Sequence, residues 1–307
     1  MTSLSAEMVE VGTVVLRGVQ YVAGALLLGL PAFMLYSARA VEPLTLGWPR
    51  PVLIWTAAIL AVAAPTALLA QTVLMAGSLE EAVKPASLGF MLTGMGLGQA
   101  LAVRTLAAVL ALGVAILSRP GRLSWVMLSL SGLIVAASFA WTGHGAATEG
   151  TGRWPHLISD VVHSIAACVW IGALAAFAVL ILRPRREPCW SASLARSLTG
   201  FAGVGSAAVA ALVVTGVVNS VFLIGPEKVG GLWNSPYGLL LSLKLGLFGL
   251  MVVLAALHRL RLAPLMDRDA SQALPHLTRS LVVEFGLGLA VLAVVAAMGT
   301  LPPPASL

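Results

Sequence analysis

Three histidines and an aspartate fall within one stretch, Trp141–Phe177, which reads WTGHGAATEGTGRWPHLISDVVHSIAACVWIGALAAF. His156, Asp160 and His163 follow the spacing i, i+4, i+7. On a helix that spacing places all three on one face over two turns. His144 precedes His156 by a loop of eleven residues, enough to return the chain and set the two side by side. Imidazole is a good ligand for first-row transition metals, and a neighbouring carboxylate serves as a second ligand or as the partner that orients the ring. His156 and His163 lie roughly 10 Å apart along a regular helix, so one ion reaches both only if the helix is distorted or His144 bridges them. Two stations fit that distance better: a shallow one at His144 and His156, and a deeper one at Asp160 and His163. The competing reading makes each histidine an interfacial residue with a hydrogen bond of its own. For any single one that reading is the better; for three with an aspartate, metal binding is preferred.

The elements that must position these groups are membrane helices. The chain has 307 residues, of which 59% are hydrophobic and 10% charged, and its mean hydropathy is +0.98. Those values belong to polytopic membrane proteins. Eight apolar runs are long enough to cross about 30 Å of hydrocarbon, near 11–38, 52–77, 90–117, 123–143, 156–182, 199–224, 237–262 and 279–300. Backbone groups in lipid need partners within the chain, so the expected fold class is all-α, a helical bundle forming a single integral membrane domain over 1–307. The opening MTSLSAEMVEVG carries two glutamates and no Lys or Arg, so a cleavable leader is not expected.

Basic residues set the orientation. Loops after the odd-numbered spans hold twelve of the eighteen Lys and Arg, including Arg183, Arg185 and Arg186; loops after the even-numbered spans hold Lys84, Arg153 and Lys228. By the positive-inside rule both termini, and the loop between His144 and His156, face outward. The net charge of +6 therefore reports topology, and no nucleic acid is expected as a partner. Gly98 precedes Arg104 by six residues and Gly238 precedes Lys244 by six; Gln20 precedes Gly29 by nine and His163 precedes Gly172 by nine. These offsets suggest a parallel four-plus-four repeat, with halves 1–122 and 123–307 or 1–145 and 146–307. Chance matching in a glycine-rich chain is the alternative.

Intramembrane polar residues crowd the outer halves of the spans: Arg17, Gln20, Gln71, Gln99, Arg104, Asp160, His163, Asn219 and Lys244. Glu284 is the exception, nearer the cytoplasmic end. Each charge costs several kcal/mol in lipid unless paired or hydrated, which argues for an outward-opening vestibule or an ion-pair network. Met91 and Met95, with Met8, Met75 and Met298, are expected near the outer surface, where thioethers favour Cu(I); packing explains most of them as well. Cys168 reads as a small core residue, Cys189 as a loop cysteine without a disulfide, and His258 and His276 as interfacial. No nucleotide-binding loop, GxSxG elbow or HExxH motif is present, so no enzymatic activity is expected.

The runs GHGAA…HLISDVVHSIAACVWIGAL, TGVVNSVFLIG, SPYGLLLSLKLGLFGLMVVLAALHRLRLAPL and RSLVVEFGLGLAVLAVVAAMGTLPP closely resemble the copper resistance protein D (CopD) family. The resemblance covers residues 90–304 well and the first two spans loosely. It implies an eight-span bacterial inner-membrane protein that moves copper inward, alongside a periplasmic copper-binding partner of the CopC kind. Carried over residue by residue, it touches His144, His156, Asp160, His163, Lys244 and Glu284. Where the family often has a histidine in the first span, this chain has Gln20, which leaves the site one imidazole poorer. Three functions follow as expectations: copper transport; a haem-binding electron carrier whose arginines hold propionates; or a copper-delivery protein that binds without transporting.

Overall fold

A computed structural model of the chain describes residues 3–41, 48–182 and 190–306. Arg183, Arg185, Arg186 and Cys189 lie outside them. The described residues are helical throughout, without strands, and eight helices are long and apolar enough to cross a membrane. In chain order the spans are carried by α1 (Ser3–Val41), α2 (Pro49–Ala76), α5 (Gly96–Leu117), α6 (Arg122–Ser138), α7 (Arg153–Leu182), α8 (Trp190–Ile224), α9 (Pro236–Leu257) and α11 (Ala270–Met298). The short helices α3 (Leu79–Ala82), α4 (Pro85–Gly94) and α10 (Ala263–Arg268) lie between them. All eight expected spans are present.

One boundary differs. The run expected as a single span over 90–117 is broken at Met95, whose backbone is extended (φ −125°, ψ 127°) between α4 and α5. The chain folds back so tightly that a Cβ at Gly98 would collide with the carbonyl of Met91. Hydrophobicity does not register such a reversal, because both arms are apolar. The fourth span, Arg122–Thr142, keeps its expected extent but passes from α-helix to 3-10 winding after Ser138, and a second 3-10 turn, His144–Ala147, follows.

Glycine sets the helix spacing. Lipid gives no hydrophobic reason for two helices to pair, so close approach through small residues does much of it. A Cβ on Gly29 would sit 2.5 Å from the Gly172 Cα, and one on Gly132 would sit 2.6 Å from the Leu28 backbone. Through such contacts α1 packs against α2, α6, α7, α8 and α11 and forms the hub of the bundle. Phe33 and Phe177 meet edge to face at 5.1 Å beside the α1–α7 crossing. Of the glycines in the offset pairs, Gly29 and Gly172 face each other, while Gly98 and Gly238 each lie directly under a carbonyl of the preceding segment, that of Met91 and that of Leu232.

Candidate functional site

Helix α7 carries Asp160 and His163 less than one turn apart, and α8 fixes both. His163 Nδ1 lies 2.8 Å from Thr215 Oγ1, and the Thr215 hydroxyl donates to the Ala211 carbonyl at 2.6 Å. A hydroxyl has a single proton. With that proton on Ala211, Thr215 accepts from the Nδ1–H of His163, which leaves the lone pair on Nε2. Asn219, one turn beyond Thr215, donates from Nδ2 to Asp160 Oδ1 at 2.9 Å. The backbone N–H of Gly145 donates to the same carboxylate. A Cβ at Gly145 would lie 2.9 Å from Asp160 Cγ, so glycine is what lets the turn His144–Ala147 settle on Asp160.

Asp160, His163 and Asn219 open on a cavity of about 730 Å³ walled by α7, α8, α9 and α11. Lys244 of α9 lines it too, and Lys244 and Asp160 act on each other electrostatically across it. Among the described residues no carboxylate comes within 4.0 Å of the Lys244 amine. Asn219 is 8% exposed and its Oδ1 has no hydrogen-bond partner. Tyr21, Tyr237 and Cys168 also face the cavity, and the rest of the wall is mostly apolar, from Leu212 to Phe248, Met251 and Val291. Gly225, Val229 and Gly299 line it near the face that bears the termini. On its flank Val213, Val217 (62% exposed), Val221 and Leu245 are both cavity-lining and exposed. The opening therefore also runs sideways between α8 and α9, toward the hydrocarbon.

The other candidates lie apart from this cavity. His156 is 1% exposed, hydrogen-bonded through Nδ1 to Thr148 Oγ1 at 2.7 Å and stacked on Phe222 at 4.7 Å. It shares a helix with Asp160 and His163 but does not line the cavity. The backbone of His144 belongs to the turn resting on Asp160. Arg104, 2% exposed, binds Ser138 Oγ (2.9 Å), Ser138 O (3.1 Å), Thr142 Oγ1 (3.2 Å) and Gln20 Oε1 (2.6 Å), with its guanidinium over the Phe139 ring. Gln20 thus spends its oxygen on Arg104, and the pair ties α1, α5 and the end of α6 together. Met91 is buried against α5, and Met95 sits at the chain reversal. Glu284 pairs with His258, 3.1 Å from Oε2 to Nδ1; His258, read from sequence as interfacial, is buried. Among the described residues no three His, Cys, Asp or Glu side chains converge.

Sequence reasoning missed Thr215 and Gly145. Thr215 stands four residues before Asn219 in TGVVN, hence on the same helical face, and that spacing was the available signal. Gly145 needed the tertiary contact.

Comparison with known proteins gives the chain its relatives. Residues 8–154 match the family described as copper resistance protein D-like, N-terminal domain, and residues 195–298 match copper resistance protein D. The chain is 39% identical over 291 residues to copper resistance protein D of Pseudomonas syringae pv. tomato, covering 91% of this chain and 92% of that one. It is 31% identical over 174 residues to copper transport protein CutJ of Bacillus subtilis, covering 56% of this chain and 29% of that one. To the inner membrane protein YebZ of Escherichia coli it is 30% identical over 165 residues, covering 53% and 55%. No solved structure matches the chain.

Proposed function

The chain belongs to the copper resistance protein D family, and from that premise we propose that it carries copper across the bacterial inner membrane by way of Asp160 and His163. The observation that carries this reading is the pairing of a free imidazole lone pair, His163 Nε2, with a carboxylate on one cavity wall. The unpartnered Asn219 Oδ1 supplies a third oxygen or nitrogen donor nearby. Such a mixed set suits an ion that accepts both imidazole and oxygen. Lys244 supplies the charge that balances Asp160 when no cation is present, and it yields when one arrives. The reading takes the movement as inward, as the family resemblance implies, with the basic-loop asymmetry assigning the face of both termini to the periplasm, and it includes delivery by a soluble CopC-like copper-binding protein at that face.

Purified protein in proteoliposomes tests it. The wild type is expected to bind copper and accumulate it inside, while Asp160→Asn and His163→Ala each lose binding and uptake. Unchanged copper stoichiometry in the double variant removes the site assignment. Binding without uptake by the wild type replaces transport with delivery.

A further inference from the structure

The cavity reaches its greatest depth on α9 and α11 near Met251 and Val291. Seven residues further from the face bearing the termini, about 10 Å along each helix, the same two helices meet again through polar groups. His258 Nδ1 lies 3.1 Å from Glu284 Oε2, and His258 Nε2 lies 2.7 Å from Ser280 Oγ. Glu284 is 1% exposed, neither of its carboxylate oxygens has a hydrogen-bond partner, His258 Nδ1 stands at ion-pair distance only, and among the described residues no Lys or Arg comes within 4.0 Å of the carboxylate. A carboxylate in that position is costly unless it shares a proton or holds a cation. His258 also opens a π-turn, His258–Leu262, where α9 departs from regular winding; such turns are frequent at functional sites.

The surroundings leave the pair to itself. Residues 171–182 of α7 and 22–35 of α1, the two spans that pack on α11 beside α9, contain no titratable group; Tyr36 follows on α1. The π-turn carries Arg259 and Arg261, and α11 carries His276 and Arg279; α10 carries Asp267 and Arg268. The five basic side chains are exposed, and Arg259 donates to Ser206 Oγ of α8 at 2.6 Å.

We propose that His258 and Glu284 form a second station on the copper path, which holds one proton when empty and exchanges it for the cation. The inference rests on the transport reading. The arriving cation takes the imidazole nitrogen and Glu284 Oε1; the N–H or O–H bond of the pair breaks, and its proton leaves to water at the face opposite the termini. When the cation departs, a proton from the same water restores the pair.

Proton release on copper addition tests it, read with a pH-sensitive dye inside proteoliposomes and, separately, in detergent. Glu284→Gln keeps shape but has no proton to release. It is expected to lose the copper-dependent proton signal and at least tenfold of the uptake rate, while the copper bound at the Asp160–His163 cavity persists. Wild-type proton release and uptake in Glu284→Gln overturn the proposal. If Glu284→Gln does not yield monodisperse protein, His258→Gln is expected to give the same losses, and normal proton release in it is equally decisive. Should the wild type bind copper without moving it, transport fails alone; in detergent the second station still requires one fewer proton released by the variant, and equal release overturns it.

Discussion

Replacing Thr215 with valine removes one hydroxyl and keeps the shape of the side chain. That hydroxyl accepts the Nδ1–H of His163 at 2.8 Å and so keeps the lone pair on Nε2, facing the cavity. Without it, either Nδ1–H stays buried and unpaired, which costs about 1–3 kcal/mol, or the proton moves to Nε2 and the lone pair turns away from the cavity. Both routes weaken a metal bound at Nε2. Loss of a partner that orients a metal-bound histidine lowers affinity roughly 10–100-fold, equivalent to about 1.4–2.8 kcal/mol. The assay is copper titration of purified Thr215→Val against a chelator of known affinity, with Thr215→Ser as the rescue that retains the oxygen. Valine is expected to bind roughly 10–100-fold more weakly and serine near the wild type. Equal affinity in all three refutes the orientation of His163 derived from this hydrogen bond.

Other outcomes follow from single contacts. His156→Ala is expected to cost less copper affinity than His163→Ala in the same titration, because His156 is engaged by Thr148 and Phe222 away from the cavity. Arg104→Met removes four charged hydrogen bonds, each worth about 1.5–3 kcal/mol; a clear fall in the thermal midpoint is expected, with no change in copper stoichiometry. Gly29→Ala forces a Cβ to 2.5 Å from Gly172 Cα, and overpacking of this kind costs about 1–3 kcal/mol or more, read as the same midpoint. Asp269 caps α11 by accepting from the Ser271 hydroxyl and from the backbone of Gln272 and Ser271, which hold its carboxyl below the ordinary value of 3.8. A lowered value means the cap is fully formed above the unfolded value and lost as pH falls through the folded one. Amide protection at Ser271 and Gln272, taken as the exchange rate relative to an unstructured peptide at the same pH, is therefore expected to fall below pH 3.8 and to hold steady above it.

The bundle was legible because length and apolarity alone determine which segments cross a membrane. The reversal at Met95 was not, since it depends on glycine allowing two apolar arms to touch. At the site, the helical spacing of Asp160 and His163 was enough to put them on one face. The same spacing leaves open what His156 meets, which in the fold is Thr148 and Phe222, because periodicity places side chains around one helix and says nothing of which neighbour each one meets. Arg104 and Lys244 stand at matched offsets in sequence and have opposite circumstances in the fold. Arg104 is satisfied by Gln20, Ser138 and Thr142, and its surroundings are filled; Lys244 faces a cavity and an aspartate it does not touch. Only the packing of the first four spans against the last four separates the structural cation from the one beside the site.

X-ray absorption at the copper edge, on protein loaded with one equivalent of copper, tests the central claim most directly. The wild-type spectrum is expected to contain imidazole scattering that disappears in His163→Ala and survives in His156→Ala. Imidazole scattering that persists unchanged in His163→Ala contradicts a copper site on that cavity wall.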